Sequence, residues 1–191
     1  KAALRALRQM RGRALLADEV GLGKTIETGL IIRELIDRKR ITENQKILIL
    51  CPGHVALQWQ QELFEKFNLF FPVFGQNVDF ALAWQCNRLI ASYKALGKRI
   101  HATEVLENQY DMLILDEAHI VNQPENTQLL KTVSSLRKKY FLLLSATPIQ
   151  RSLDDLYSIV SLLRPGHFDD KQKFLDRYQD QTDDRKVKRE L

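Results

Sequence analysis

The feature that most constrains the fold is a short apolar segment, residues 14–16, followed by a glycine-rich turn. Lys24 and Thr25 come directly after the turn and open an expected helix. Glycines let backbone N–H groups approach a polyphosphate closely, and the first turn of a helix adds free N–H donors and partial positive charge. Strand, glycines, Lys-Thr and helix in this order predict a phosphate-binding loop. The alternative is a glycine-rich turn before an ordinary helix.

The loop residues have distinct expected roles. Lys24 would contact the β- and γ-phosphates of ATP, and the Thr25 hydroxyl would bind Mg²⁺. The general pattern has glycine where this chain has Asp18, so the match to that pattern alone is partial. The predicted nucleotide-binding residues are Val20, Gly21, Leu22, Gly23, Lys24 and Thr25.

A second apolar run, residues 112–115, ends in Asp116, Glu117, Ala118 and His119. Such a run is typical of a strand buried on both faces of a parallel sheet. Carboxylates at its carboxyl end would lie where open α/β sheets bind ligands. We therefore expect Asp116 to hold Mg²⁺ and Glu117 to polarise the attacking water. Taken alone, the acidic pair could equally be a simple strand ending.

A third apolar run, residues 141–144, ends in Ser145, Ala146 and Thr147. The two hydroxyl side chains are expected to hydrogen-bond to the acidic pair and to move when the γ-phosphate leaves. The alternative is a Ser/Thr turn that Pro148 ends.

Five segments, in order, resemble the first motor lobe of helicase superfamily two, and within it the Swi/Snf-type translocases. They read ADEVGLGKTIETGLI, ILCPGHVALQWQQEL, LIASYKAL, LILDEAH and LLLSATPIQRSLDDLYSIVSLLRPG. Members of this family commonly carry Asp-Glu before the Gly-x-Gly, so Asp18 fits the family. The Ser-Ala-Thr-Pro sequence is more similar to bacterial members than to eukaryotic remodellers.

The resemblance implies an α/β fold: a RecA-like P-loop lobe with a mostly parallel sheet and helices on both faces. It also implies a nucleic-acid-dependent ATPase of the DEAH-box type that uses Mg²⁺, as part of a translocase or helicase-like motor. Double-stranded DNA is the favoured nucleic acid. The rival interpretation is a catalytically silent lobe that binds protein or nucleic acid without turnover.

The same resemblance implies a nucleic-acid contact surface and a group of coupling residues. The predicted nucleic-acid contacts are Pro52, Gly53, His54, Gln58, Ser92, Tyr93 and Lys94. From the residues alone, a plain strand-to-helix turn at Pro52 and a packed Tyr93 are the favoured alternatives. The predicted coupling residues are His119, Ser145, Ala146 and Thr147. His119 could instead cap a helix.

Motors of this family have two lobes, with ATP bound between them. We therefore expect residues 1–168 to form lobe one, and residues 169–191 to begin a polar connector to a second lobe. The first residue is Lys1, which suggests a fragment of a longer chain. The partners implied are nucleic acid, the second lobe and possible further subunits, with no membrane. The expected location is the cytoplasm, with nucleoid association in a bacterium, or the nucleus in a eukaryote.

Composition limits the other function classes. The chain has 191 residues, 45% of them hydrophobic, and a formal net charge of +5. No apolar run approaches the roughly 20 residues that span a bilayer. The cysteines, Cys51 and Cys86, lack the spacing of a zinc site. Short basic clusters such as residues 137–139 are expected to be solvated surface. A four-residue apolar repeat from Val55 to Phe67 predicts a helix with Trp59 in the core. The sequence also predicts a helix at residues 1–10, a strand at residues 47–51 and one or two strands within residues 71–91.

Overall fold

The described strands form a parallel five-stranded sheet. The structure is a computed structural model that describes residues 12–17, 23–42, 44–96, 99–146, 153–164, 166 and 170–179. The strands are β1 (Arg13–Leu16), β2 (Ile47–Cys51), β3 (Arg88–Ser92), β4 (Gln109–Asp116) and β5 (Arg137–Leu144). Their order across the sheet is β1-β5-β4-β2-β3, and every pair is parallel. The carboxyl ends of all these strands therefore meet at one edge.

Helices connect the strands, as parallel pairing requires. They are α1 (Lys24–Asp37), α2 (Ala56–Phe67), α3 (Phe80–Ala83), α4 (Tyr93–Leu96), α5 (Arg99–Leu106), α6 (Thr127–Ser135), α7 (Leu153–Leu163) and α8 (Lys171–Gln179). Short 3₁₀ segments lie at Gly53–Val55, Ala118–Asn122 and Pro124–Asn126. None of the described helices is both long enough and apolar enough to cross a membrane.

Two apolar clusters cover the two faces of the sheet. On one face, side chains of α1 and α2 such as Ile32 and Leu63 pack against Ile49 and Ile114 of the strands. On the other face, Val105, Val133 and Ile159 belong to helices α5, α6 and α7 and pack against the alternate strand residues. Because successive side chains of a strand point to opposite faces, a strand buried on both faces has a continuous apolar run.

Helices α1 and α2 approach each other closely at Gly29. A Cβ atom on Gly29 would lie 2.2 Å from the nearest atom of the Phe67 ring. Glycine is therefore required by space rather than by backbone conformation. This contact packs the second turn of α1 against the last turn of α2.

The expected α/β architecture with helices on both faces is confirmed, and β2 has the expected bounds. Residues 71–91, expected to hold one or two strands, contain β3, the short helix α3 and isolated bridges at Val73 and Phe74. Strand β5 begins at Arg137, so the basic cluster at residues 137–139 lies within a strand.

Helix α8 packs on α7, where Phe174 is buried and its ring lies 5.4 Å from that of Tyr157. The expected helix at residues 1–10 lies outside the described residues.

Candidate functional site

The start of α1 has the geometry of an anion-binding helix terminus. Gly23 precedes the helix with φ 89° and ψ 29°, in the left-handed region that favours glycine. Lys24 and Thr25 are the first two helical residues, and Glu27 N–H donates to the Gly23 carbonyl at 2.8 Å. Because α1 follows β1, the partial positive charge of this first turn lies at the carboxyl edge of the sheet.

The acidic pair lies at the same edge, at the end of β4. Asp116 is the last residue of the strand and Glu117 follows it directly. Both residues line a cavity of about 380 Å³ that also exposes Gly23, Lys24 and Thr25. The fold thus brings together the described residues of two segments that are about ninety positions apart in the sequence.

Trp59 of α2 holds the carboxylate of Asp116. Its indole Nε1–H donates to Asp116 Oδ2 at 2.8 Å, and the two residues are only 2% and 9% exposed. The expectation that Trp59 belongs to the core is correct, since it packs with the α1–α2 face. That expectation leaves out a second role of Trp59, because the polar end of its ring also holds the Asp116 carboxylate in place. A buried indole N–H requires an acceptor, and this requirement is the sequence signal that could have revealed the contact.

The electrostatics at Asp116 favour a cation nearby. Burial raises the pKa of the Asp116 carboxyl, and the charge of Glu117 raises it as well. The hydrogen bonds from Trp59 and from Glu117 N–H, together with the charge of Lys24, act in the opposite direction and lower the pKa. A divalent cation would stabilise the ionised form of this partly desolvated carboxylate.

The backbone at Glu117 is in an unusual conformation. Its φ of 51° and ψ of 54° lie in the left-handed region, where a residue with a Cβ is strained. The Tyr93 hydroxyl donates to the Asp116 carbonyl at 2.6 Å, and Glu117 N–H donates to Asp116 Oδ1 at 3.0 Å. Burial raises the pKa of Tyr93 well above its usual value, as does the Asp116 charge, so the phenol remains a donor.

Two of the predicted coupling residues lie beside Glu117. His119 Nδ1 is 3.3 Å from Glu117 Oε2 and 3.5 Å from Ser145 Oγ. Ser145 is fully buried, and its N–H donates to the Leu16 carbonyl of β1. These contacts connect the ends of β1, β4 and β5. Ala146 follows Ser145 in the described chain, whereas Thr147 lies outside the described residues.

The donor set fits a magnesium ion that is shared with a nucleotide. Within the described part of the chain, no group of three or more His, Cys, Asp or Glu side chains could hold a metal by itself. The cavity instead offers the Thr25 hydroxyl and the Asp116 carboxylate. Mg²⁺ prefers oxygen ligands and commonly combines one or two protein ligands with substrate phosphates and water.

A second cavity, of about 500 Å³, gathers most of the residues predicted to contact nucleic acid. It is lined by Pro52, Gly53, His54, Tyr93, Lys94, Ile120, Asn126 and Leu129. Ser92 lies beside Gly53, since a Cβ on Gly53 would be 3.6 Å from the Ser92 Cβ, and Ser92 Oγ accepts from Ala95 N–H. Ile120 and Asn126 lie in the 3₁₀ segments after Glu117, and Leu129 lies in α6. No sequence pattern indicated a functional role for these three residues.

Gln58 lies apart from the other predicted nucleic-acid contacts. Its side chain lines the cavity of Lys24 and Asp116, and its amide donates to Glu62 at 3.0 Å. Tyr93 is 7% exposed, so its ring is packed, as the alternative interpretation of the sequence expected. It reaches the second cavity only with a small part of its surface.

Two further observations delimit the site. Cys51 ends β2 and is fully buried, and its burial together with the Asp116 charge raises the pKa of the thiol to about 12. It is therefore a neutral thiol and not a nucleophile. Val20, Gly21 and Leu22 of the predicted phosphate loop lie outside the described residues.

Comparisons with known proteins agree with this arrangement. The family model described as SNF2-related domain matches residues 3–191. A Bacillus subtilis protein named uncharacterized ATP-dependent helicase YqhH is 40% identical over 92% of this chain and 30% of its own length. The RNA polymerase-associated protein RapA of Pasteurella multocida is 34% identical over 87% of this chain and 19% of its own length.

Solved structures of SWI2/SNF2 proteins are also similar to this chain. The Sulfolobus solfataricus SWI2/SNF2 ATPase core in complex with dsDNA has a TM-score of 0.71 and 28% identity, covering 92% of this chain and 36% of that one. The same core domain in a second structure also has a TM-score of 0.71, with 29% identity, covering 99% and 38%. This chain thus spans between 19% and 38% of the length of each of these relatives. With its parallel sheet, its RecA-like fold and its match over residues 3–191, the chain belongs to the SNF2-related domain family of helicase superfamily two.

Proposed function

We propose that this chain is the ATP-hydrolysing lobe of a nucleic-acid translocase that uses Mg²⁺ and acts on duplex DNA. One observation carries the proposal: the described end of the phosphate loop and the acidic pair share one cavity at the carboxyl edge of the sheet. The named helicase relatives and the DNA complex of the SWI2/SNF2 core support it.

Each residue of the cavity has a specific task in this proposal. The first turn of α1 and the Lys24 ammonium bind the β- and γ-phosphates, while Thr25 and Asp116 hold Mg²⁺, which withdraws charge from the phosphate oxygens. Trp59 fixes the orientation of the Asp116 carboxylate. Glu117 accepts a proton from the water whose oxygen bonds to the γ-phosphorus, and the bond to the β–γ bridging oxygen breaks.

The nucleic acid is proposed to contact the second cavity through its phosphates. His54 and Lys94 line this cavity, and its rim includes the short 3₁₀ turn at Gly53–Val55. Phosphate contacts carry no sequence information, so binding is expected to be indifferent to sequence. The Tyr93 hydroxyl links this cavity to the Asp116 carbonyl and hence to Glu117. His119 and Ser145 are proposed to pass movements of Glu117 to neighbouring strands.

The proposal also includes a second lobe. The cavity is open to solvent, and none of its described lining residues is an arginine. Arginines supplied from outside the phosphate loop accelerate phosphoryl transfer by about 10³-fold or more. We therefore expect the isolated chain to hydrolyse ATP poorly. A longer protein that includes the second lobe should hydrolyse ATP faster when duplex DNA is added.

The test is the substitution Glu117→Gln in that longer protein. The variant retains size and hydrogen bonding but lacks the base, so DNA-stimulated phosphate release should fall by roughly two to four powers of ten. Affinity for a fluorescent ATP analogue should remain near that of the wild type. Wild-type turnover in the variant would remove Glu117 from the mechanism. Absence of turnover in the wild-type protein with DNA would favour the rival, a silent binding lobe.

A further inference from the structure

A cluster of positive charge lies at the amino edge of the sheet, opposite the nucleotide site. A cavity of about 420 Å³ there is lined by Arg13, Gln109, Ser134, Leu136, Arg137, Lys138 and Lys139. We call it the amino-edge cavity. Its residues come from the first positions of β1, β4 and β5, whereas Asp116 and Glu117 follow the carboxyl ends. A strand of eight residues separates the two places by roughly 20–25 Å.

The two inner cations are held rigidly by the fold. The Arg13 guanidinium donates to the carbonyls of Leu163 at 3.1 Å and of Lys138 at 2.9 Å. The Lys138 ammonium donates to the carbonyls of Val133 at 2.7 Å and of Ser134 at 3.3 Å, at the end of α6. These contacts cap helix ends, and they fix two positive charges in place without neutralising either of them.

The charge of the cavity is not neutralised by the described part of the chain. No described carboxylate lies within 4.0 Å of Arg13, Arg137, Lys138 or Lys139. Burial and, to a smaller extent, the neighbouring Arg13 charge lower the pKa of Lys138 to about 8. Arg137 and Lys139 are exposed, and Lys139 lies over the Tyr140 ring at 5.1 Å.

We propose that the amino-edge cavity binds phosphate groups. One guanidinium group can donate two parallel hydrogen bonds to a phosphate group. Because the side chains of Arg13 and Lys138 are already held in place, they lose little conformational entropy when an anion binds. None of the described lining residues is aromatic, so they offer no surface on which a base would stack. Its volume suits consecutive phosphates, which a nucleic-acid backbone and a soluble oligophosphate both offer.

The test compares two charge-matched double variants of the full-length protein. Arg137→Gln with Lys139→Gln changes the amino-edge cavity, and Arg40→Gln with Lys173→Gln changes exposed cations elsewhere. Each pair removes two cations, so the two double variants carry the same formal net charge. All variants also carry Lys24→Ala, so that the nucleotide site does not contribute to phosphate binding.

Two probes identify the source of the phosphate. Tripolyphosphate is measured by calorimetry, and a labelled duplex oligonucleotide by fluorescence anisotropy at several salt concentrations. The cavity variant should bind at least one probe about fivefold more weakly than the control variant. If duplex DNA is the ligand, the slope of log affinity against log salt should decrease by about 1.8 for the two lost contacts.

Each outcome has one meaning. Weaker binding of the duplex alone assigns the cavity to a nucleic-acid backbone, and weaker binding of tripolyphosphate alone assigns it to soluble oligophosphates. In the protein that carries Lys24→Ala alone, the bound probe should also slow acetylation of Lys139 but not of Lys173. Equal affinities of the two variants for both probes, with unchanged acetylation of Lys139, would overturn the proposal. Neither result depends on ATP hydrolysis.

Discussion

The substitution Trp59→Phe tests the contact that connects α2 to the acidic end of β4. Phenylalanine keeps an apolar ring in the core but removes the Nε1–H donor, leaving Asp116 Oδ2 without its 2.8 Å partner. Asp116 is 9% exposed, so water replaces the lost donor poorly. We therefore expect the free energy of unfolding to fall by more than the smaller ring alone explains.

The magnitude follows from the charge of the acceptor. A hydrogen bond to a charged group contributes about 1.5–3 kcal/mol, whereas a bond between neutral groups contributes about 0.5–1.5 kcal/mol. In the Asp116→Asn background the acceptor is neutral, so Trp59→Phe should cost about 1 kcal/mol less there. Comparing the two backgrounds removes the effect of ring size, because the same ring is replaced in both.

Urea unfolding followed by far-ultraviolet circular dichroism measures these free energies without relying on tryptophan fluorescence. The four proteins of the cycle are the wild type, the two single variants and the double variant. A coupling energy below about 0.3 kcal/mol, which is within the error of independent sites, would show that the indole does not stabilise the carboxylate. The proposed orientation of Asp116 by Trp59 would then have to be abandoned.

Two further predictions concern the stability of the fold. Gly29→Ala should destabilise the protein by about 1–3 kcal/mol, because its Cβ would overlap the Phe67 ring at 2.2 Å. The loss should shrink in a Phe67→Ala background, and Gly53→Ala, whose Cβ would make an ordinary 3.6 Å contact, should cost little. The second prediction is a stability that rises with pH from about 8 to 10.5, because Lys138 has a pKa lowered to about 8 in the folded state and loses its proton there before it does in the unfolded chain. Urea midpoints across this range should show the rise in the wild type and a flatter profile in Lys138→Met, and equal profiles would contradict the lowered pKa.

The parallel sheet could be predicted because β2 and the second halves of β4 and β5 are continuous apolar runs that alternate with amphipathic helices. Strand β2 and helix α1 illustrate this, since their patterns differ clearly in period. Residues 71–91 could not be predicted well, because Val73 forms only an isolated bridge to Ile90 of β3 and Phe74 only one to Val78. Single bridges of this kind leave no periodic pattern in the sequence.

In the candidate site, too, some features could be predicted from the sequence and others could not. Lys24 and Asp116 are recognisable because their chemistry follows a local pattern, and the fold brings both to one cavity. The hydrogen bonds from Trp59 and Tyr93 join residues that are 57 and 23 positions apart in the sequence. Periodicity predicts that such side chains are buried, but it does not identify the polar atom that each one contacts.

The most direct test of the central claim is calorimetric binding of Mg·ADP to the chain and to Lys24→Ala. The account predicts measurable, weak binding to the wild type, because Lys24 and the first turn of α1 provide the positive charge of the phosphate site. Lys66→Ala serves as the control, since Lys66 lines the same cavity but lies at the far end of α2 and pairs with Glu62. Binding should be abolished or greatly weakened in Lys24→Ala and largely retained in Lys66→Ala. Unchanged affinity in Lys24→Ala would contradict the assignment of this cavity to the nucleotide.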